Sequence, residues 1–137
     1  MRVVARRRGG YTHDVEIDGG HTLVIDEPRG AGGEDAGPSP TRTVAAALAA
    51  CTAITCEMYA ERKGWELGEV EVEVEVEYGE NSSIDHLTVA LRVPEPLDEA
   101  QQERLLAIAG KCPVHRALAG ATPVAITDRI ESSTPAP

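Results

Sequence analysis

The sequence predicts an α+β fold in which helices pack against antiparallel sheet. Residues 69–78 read EVEVEVEVEY, a strict alternation of glutamate and valine that is typical of a strand with one face buried and one in water. Residues 41–63 form an alanine-rich run without glycine or proline, which predicts a long helix. The predicted elements follow the order strands, long helix, strands, helices, strand, and such segregated runs indicate this fold class.

The N-terminal part of the chain predicts a hairpin or small meander. Three short pieces with alternating apolar residues, 2–5, 13–17 and 21–26, are separated by glycine-containing turns. Residues 27–38, EPRGAGGEDAGP, are rich in glycine, proline and acidic residues, and we expect a loop there.

The long helix has start and stop signals in the sequence. Ser39 is placed to cap its N-terminus, Pro40 suits its first position, and Gly64 suits its end. Its spacing places five residues on one face: Val44, Leu48, Cys51, Thr55 and Met58. Because the neighbouring faces are mostly alanine, we expect this helix at the centre of the molecule.

The second half of the chain predicts a hairpin, two helices and a last strand. The glutamates of 69–78 form either a cation-binding surface or, as we favour, a solvated face that discourages edge-to-edge aggregation. Residues 86–93 are predicted as the strand that pairs with 69–78. Asp98 and Gln101 form a capping box for a helix that runs to about Lys111, and Pro113 opens a shorter helix. Residues 120–130 are predicted as a final strand.

Length and charge limit the classes of function. The 137 residues suit a single domain over 1–130, followed by a flexible tail over 131–137. A net charge of −10 argues against nucleic acid or anionic lipid as a partner. The N-terminus lacks the apolar run of a secretory signal, and we identified no apolar run of about 18 residues that would span a membrane. We therefore expect a soluble cytoplasmic protein.

Cys112 is the cysteine that local sequence favours as an acidic thiol. It directly precedes Pro113, so we expect it at the N-cap of the short helix, where the helix dipole and free amides lower a thiol pKa. His115, three residues on, either adds charge beside the thiolate or satisfies a local hydrogen bond.

The other two cysteines have weaker local signals. Cys51 lies too deep in the long helix for the helix dipole to lower its pKa much. Cys56 is about 140° away from Cys51 around the helix axis, so we interpret Cys56 as a packing residue. A zinc site from the three cysteines and His115 lacks the usual paired short spacing, and no GxSxG motif supports a serine hydrolase.

Several blocks of sequence together resemble the OsmC/Ohr family. They are HTLVIDEP, GGEDAGP, GPSPTRTVAAALAAC (37–51), KGW (63–65) and AGKCPVHRAL (109–118). The similarity extends from about residue 9 to residue 130, and the DEP…GG…GPSP pattern is closer to the OsmC-like branch than to the organic hydroperoxide resistance branch.

The resemblance implies a fold, a partner and a reaction. The family fold has antiparallel sheets wrapped around two central helices in an intertwined homodimer, with active sites at the subunit interface. Family members reduce organic hydroperoxides without a bound cofactor or metal. The cysteine matching Cys51 attacks the peroxide and becomes a sulfenic acid, and the one matching Cys112 then forms a disulfide with it. An external dithiol, a lipoylated protein in some members, acts as the thiol reductant.

Two features depart from the family pattern. Members of the hydroperoxide-resistance branch carry a glutamate ten residues before the reactive cysteine, where it orients an arginine, but here Thr41 occupies that position and Arg42 follows it. The family arginine comes from the N-terminal strands, and Arg8 is the nearest candidate here, with Arg6 behind it. Glu27 is one candidate for the missing carboxylate.

Three functions remain open at this point. The first, which we favour, is a thiol peroxidase with a pocket lined by Leu48, Met58 and other apolar groups. The second is an OsmC-like small-molecule binding protein with weak or no peroxidase activity. The third is a structural or interaction module in which the cysteines are inert.

Overall fold

Two antiparallel sheets and three α-helices build residues 1–132, the part of the chain that the computed structural model describes. The strands are β1 (Val3–Gly9), β2 (Thr12–Ile17), β3 (His21–Ile25), β4 (Glu71–Tyr78) and β5 (Ile84–Arg92). The helices are α1 (Pro40–Lys63), α2 (Glu99–Ala109) and α3 (Pro113–Ala119). The α+β class is confirmed. The division into a domain over 1–130 and a tail over 131–137 stays a prediction, and residues 133–137 lie outside the described part.

The first sheet is the predicted N-terminal meander, in the order β1-β2-β3. Its strand register places six apolar side chains on one face: Val3, Ala5, Val15, Ile17, Leu23 and Ile25. Within residues 1–132 these strands pack extensively only on one another, and Val3 and Leu23 are exposed. The helices of the chain therefore leave this apolar face uncovered.

The loop after β3 is organised by a buried carboxylate. Asp26 is 1% exposed and accepts hydrogen bonds from the Thr12 hydroxyl and from the backbone N–H groups of Glu27, Glu34 and Ala36. Burial alone would raise the pKa of Asp26, but these four bonds outweigh it and hold the pKa below its usual value of 3.8. Gly33 lies so close to this turn that a Cβ there would meet the Glu27 carbonyl oxygen at 1.9 Å.

Helix α1 begins and ends as the sequence predicts. The Ser39 side chain accepts a hydrogen bond from the Arg42 amide, Pro40 is the first helical residue, and Gly64 ends the helix in the left-handed conformation at φ 70°. The residues that α1 buries are Ala45, Leu48, Thr52, Cys56, Tyr59 and Ala60. The predicted face is therefore wrong in part, since Met58 is 59% exposed. A helix that is apolar on most sides has a weak periodic signal, so packing and not the sequence pattern fixes its orientation.

The second sheet pairs β4 with β5 and packs on α1. The valines of β4 are half-buried and its glutamates are exposed, which confirms the predicted alternation. On the outer face Arg92 bonds to Glu71 and Glu73. The pairing shifts register between Glu77 and Tyr78, and the Tyr78 hydroxyl shares a hydrogen bond with that of Thr41 of α1 at 2.9 Å.

The core lies where α1, α2 and the second sheet meet. Its buried members are Cys56, Tyr59, Ala60, Leu67 and Leu105. The predicted capping box of α2 is present: the Asp98 carboxylate accepts from the Gln101 amide, and the Gln101 side chain accepts from the Asp98 amide. Arg104 of α2 donates to the Tyr59 hydroxyl at 2.9 Å and so joins α2 to α1.

The predicted final strand is absent from the described chain. Residues 120–130 have no regular structure, and Val124, Ile126 and Ile130 are 62%, 80% and 94% exposed. A strand needs a neighbouring edge to satisfy its backbone groups, and no strand of residues 1–132 pairs with this segment.

One helix of the described chain is long and apolar enough to cross a membrane, contrary to our expectation from the sequence. By length and composition alone, α1 could cross a membrane, with a mean hydropathy of 1.4 over 18 residues. The central helix of a soluble protein passes the same test, and α1 packs against β4, β5, α2 and α3.

Candidate active site

Folding brings Cys51 and Cys112 together although they are 61 positions apart in the sequence. Cys51 lies half-buried in the middle of α1, and Cys112 is the fully buried N-cap of α3, which packs against α1. Each thiol is among the groups that shift the pKa of the other, and both are free. The two thiols singled out from the sequence thus form one site.

Cys51 is the more acidic of the two. Burial alone would raise the pKa of Cys51, but hydrogen bonds from the Cys112 thiol, the Val114 amide and the Thr55 hydroxyl lower it below its usual value of 9.0. A sulfur that accepts three hydrogen bonds is stabilised as the thiolate. Cys51 is therefore the group of the pair that is suited to nucleophilic attack.

Cys112 behaves contrary to the local sequence argument. Its position at the N-cap is confirmed, and its sulfur accepts a hydrogen bond from the His115 amide at 3.4 Å. Its pKa is nevertheless raised, chiefly by burial, since the side chain is 0% exposed, and further by the hydrogen bond to Cys51 and the charge of Cys51. The prediction of Cys112 as the low-pKa thiol is therefore wrong, because burial outweighs the backbone amides at the start of α3 that lower its pKa.

Two contributors to the site were missed from the sequence. Thr55 follows Cys51 by four residues, and helical spacing alone places it on the same face, but no role was assigned to it. The Val114 amide acts on Cys51 from a distant part of the chain. No signal in the sequence reports that contact, because it depends on how α3 docks against α1.

Cys56 is a packing residue, as predicted. It is 0% exposed in the core, and its thiol donates to the Leu105 carbonyl oxygen at 3.8 Å. Burial raises the pKa of Cys56, with smaller effects from Cys112 and Glu57. Within residues 1–132 no three His, Cys, Asp or Glu side chains are grouped to hold a metal ion, so the three cysteines and His115 do not form a metal-ligand set there.

A cavity of about 380 Å³ lies between α1, β5 and α3, and neither Cys51 nor Cys112 is among its lining residues. Leu48, one turn before Cys51, and His115, three residues after Cys112, both line it. The remaining lining is mostly apolar and includes Ile84, Leu87, Val89 and Leu118. Leu48 and Met58 were both expected to line a pocket. Leu48 lines this cavity, whereas Met58 does not.

Arg8 lies on the N-terminal sheet and bonds to a carboxylate there. Its Nε and Nη2 atoms donate to the two oxygens of Asp14, and both side chains are partly exposed. The carboxylate partner of Arg8 is therefore Asp14, which was not predicted from the sequence. Glu27 was the carboxylate suggested for the site. Within the described chain the groups that act on Cys51 are Cys112, Val114 and Thr55, so residues 1–132 do not bring Arg8 to the thiol pair.

Comparison with known proteins identifies the family of the chain. The family model described as OsmC-like protein matches residues 32–127, a segment that includes both thiols and excludes Arg8. The chain belongs to the OsmC-like protein family. No curated protein sequence matches this OsmC-like protein.

Solved structures resemble this OsmC-like protein over most of its length. An organic hydroperoxide resistance protein OsmC from Legionella pneumophila is 28% identical, with a TM-score of 0.63 over 90% of this chain and 93% of that one. The organic hydroperoxide resistance protein OhrB of Bacillus subtilis is 26% identical, with a TM-score of 0.61 over 89% and 92%. An OsmC-like protein from Mycoplasma pneumoniae, at 18% identity and a TM-score of 0.76 over 88% and 87%, shares the fold.

Proposed function

We propose that this OsmC-like protein is a cysteine-based thiol peroxidase that reduces organic hydroperoxides. The observation that carries the proposal is the meeting of the two thiols where α3 packs on α1, with the pKa of Cys51 lowered and that of Cys112 raised. Two similar proteins, at 26% and 28% identity, are named organic hydroperoxide resistance proteins, which supports the same reaction class.

In the first step the Cys51 thiolate attacks the terminal oxygen of the hydroperoxide. The O–O bond breaks, its electron pair leaves with the alkoxide, and Cys51 becomes a sulfenic acid. The alkoxide takes up a proton and departs as an alcohol. The sulfur is oxidised by two electrons, and the peroxide is reduced by the same two.

In the second step Cys112 attacks the oxidised sulfur. Once Cys51 carries a hydroxyl instead of a negative charge, the charge effect from Cys51 that raises the pKa of Cys112 is lost. The His115 and Val114 amides, which lower that pKa, stay in place. The Cys112 thiolate then forms the Cys51–Cys112 disulfide, and hydroxide leaves and is protonated to water.

An external dithiol completes the cycle. One of its thiolates attacks the protein disulfide to give a mixed disulfide, and its second thiol closes a ring that releases both cysteines reduced. We infer that the reductant is a lipoyl-type dithiol on a lipoylated protein and that the enzyme needs no bound cofactor. We also infer a cytoplasmic location, because thiols are kept reduced there.

The mostly apolar cavity between α1, β5 and α3 suits the organic part of the substrate. Its volume of about 380 Å³ lies within the range of small-molecule sites. Aliphatic walls favour alkyl or aryl hydroperoxides over hydrogen peroxide, because they gain hydrophobic contact only with the larger substrates.

We also propose that the working unit is a homodimer and that Arg8 acts in it. The apolar face of the N-terminal sheet and an exposed side of α1 with Ile54 have no cover from the described chain. Pairing two copies would bury both surfaces, and we infer from the family resemblance that the dimer also places Arg8 of one copy near the thiol pair of the other. A guanidinium there would add to the stabilisation of the thiolate.

The test is a peptide map of the reduced protein after treatment with cumene hydroperoxide. We expect loss of two free thiols per chain and a disulfide-linked pair of peptides that contain Cys51 and Cys112. Dihydrolipoamide should restore both thiols and support turnover.

Two outcomes would contradict the proposal. Peroxide consumption by Cys51→Ser at the wild-type rate would remove Cys51 from the reaction. Intact thiols after treatment, together with a small apolar ligand that raises the melting temperature, would instead favour a binding protein that uses the same cavity.

A further inference from the structure

The wall that α3 contributes to the 380 Å³ cavity contains a histidine. His115, Leu118 and Ala119 all line the cavity, and their spacing of three and four residues places them on one face of α3. The imidazole of His115 therefore lies on the side of α3 that borders the cavity. His115 is half-buried, and its backbone amide donates to the Cys112 sulfur at 3.4 Å, so the residue is a direct neighbour of one thiol.

The same cavity also reaches a neighbour of the other thiol. Leu48, one turn before Cys51 on α1, is 3% exposed and lines the cavity from the opposite helix. In the proposed reaction the organic part of the hydroperoxide occupies the cavity, and Cys51 attacks the terminal oxygen. The oxygen that leaves is the one bonded to carbon, so it lies between the sulfur and the cavity. A proton donor for that oxygen is therefore expected in the cavity wall.

His115 is the residue of the wall that suits this task. Three of the lining residues in the described chain have ionisable side chains: Asp85, His86 and His115. Asp85 and His86 are exposed to solvent, and the Asp85 carboxylate accepts a hydrogen bond from the Ser83 hydroxyl at 3.1 Å, whereas His115 is half-buried. Cys112 is fully buried and is not part of the lining. Histidine is the side chain most often used as a general acid near neutral pH.

We propose that His115 is a catalytic residue that protonates the leaving oxygen of the hydroperoxide. The proposal rests on the peroxidase function proposed above. As the O–O bond breaks, a ring nitrogen of the His115 imidazolium gives its proton to the oxygen bonded to carbon. The products are a neutral alcohol, the Cys51 sulfenic acid and a neutral His115, which takes up a proton from solvent before the next turnover. The electron count of the peroxide step is unchanged.

The experiment compares two peroxides of similar size that differ in their leaving group. Cumene hydroperoxide releases an alkoxide, which needs a proton, whereas peroxybenzoic acid releases benzoate, which is stable as an anion at neutral pH. The rate of Cys51 oxidation in a single turnover is followed by quenching and mass spectrometry. We expect His115→Gln to slow the reaction with cumene hydroperoxide about a hundredfold and to leave the rate with peroxybenzoic acid close to that of wild type. His86→Gln, which changes the other histidine of the cavity, should keep the ratio of the two rates at its wild-type value.

The outcomes separate this proposal from the peroxidase proposal. A wild-type protein that leaves cumene hydroperoxide intact overturns the peroxidase function. If the wild-type protein reacts, a wild-type rate of His115→Gln with cumene hydroperoxide overturns the role of His115. So does an equal slowing with both peroxides, because loss of the thiolate or of the local structure affects both reactions alike. The same change of ratio in His86→Gln also contradicts the assignment. If His115→Gln does not fold, His115→Asn is measured and judged by the same comparisons.

Discussion

At the residue scale, the opposite pKa shifts of Cys51 and Cys112 underlie the order of reaction that we propose for them. Cys112 is fully buried and its pKa is raised, whereas Cys51 is only half-buried and its pKa is lowered. A buried, protonated thiol is a poor nucleophile towards peroxide. In the proposed mechanism Cys112 gains reactivity only after Cys51 is oxidised, so Cys112 itself does not react with the peroxide.

The first prediction concerns the loss of Cys112. In Cys112→Ala the Cys51 sulfur loses one donor and its partner for a disulfide, so peroxide should leave a sulfenic acid that persists. Trapping with dimedone and mass spectrometry should show a Cys51 adduct that is scarce in wild type. Cys56→Ala, which removes a buried thiol outside the pair, is the control and should still form the bridge. An equal dimedone yield in all three proteins would contradict the two-thiol order.

The second prediction concerns the hydroxyl of Thr52. Because its Oγ1 is buried without a partner in the described residues, Thr52→Val should keep or raise the free energy of unfolding. Thr43→Val is the matched comparison, since the Thr43 hydroxyl donates to the Ser39 carbonyl at 2.9 Å. We expect it to lose about 0.5–1.5 kcal/mol in urea unfolding. A larger loss in Thr52→Val than in Thr43→Val would show a partner for Thr52.

At the element scale, the sequence predicted those elements whose caps or hydrophobic pattern lie within their own residues. Helix α1 carries its own cap at Ser39 and its own stop at Gly64, and β4 carries strict alternation. The buried side of α1 was predicted only in part. Small apolar residues lie on most sides of the helix, so several orientations would bury a similar apolar surface area. The segment 120–130 alternates like a strand, but a strand also needs an edge to pair with, which the sequence cannot show.

The third prediction concerns the loop that Asp26 organises. The folded pKa of Asp26 lies below its unfolded value of about 3.9, so its stabilising effect is complete above that pH and is lost as the pH falls through the lowered pKa. Asp26→Asn should therefore lower the melting temperature at pH 7, and the gap to wild type should shrink below about pH 4. Asp18→Asn, in an exposed turn, is the control. A gap that stays constant down to pH 2 would contradict the role of the ionised carboxylate.

At the scale of the whole molecule, the single chain leaves apolar surface uncovered. Ile54 is 50% exposed on α1, in the company of exposed alanines, and the N-terminal sheet shows an apolar face that no helix of the described chain covers. Contiguous apolar surface of this kind marks an interaction site. The proposed homodimer assigns that site to a second copy of the same chain.

The fourth prediction tests this assignment. Ile54→Glu places a charge in the proposed interface and should shift the protein from dimer to monomer in size-exclusion chromatography with light scattering. Ala107→Glu, at an exposed position of α2, adds the same charge elsewhere and should leave the dimer intact. A monomeric wild-type protein, or an Ile54→Glu protein that stays as dimeric as wild type, would contradict the homodimer.

The acidity of Cys51 is also a property of the whole molecule. From the sequence, Cys51 has no cation beside it and lies far from the end of its own helix. Its donors Val114 and Cys112 come from a segment about 60 residues downstream, and they reach Cys51 only when α3 docks on α1. Local reasoning ranked Cys112 above Cys51 as the acidic thiol, and only the family resemblance paired the two.

The long separation of the two sulfurs along the chain has a thermodynamic consequence. A covalent link between Cys51 and Cys112 would tie together positions 61 residues apart and so reduce the freedom of the denatured polypeptide. By chain-entropy estimates, a ring of that size stabilises the native state by about 4 kcal/mol. The melting temperature would then report the redox state of the protein, with the oxidised form the more heat-resistant.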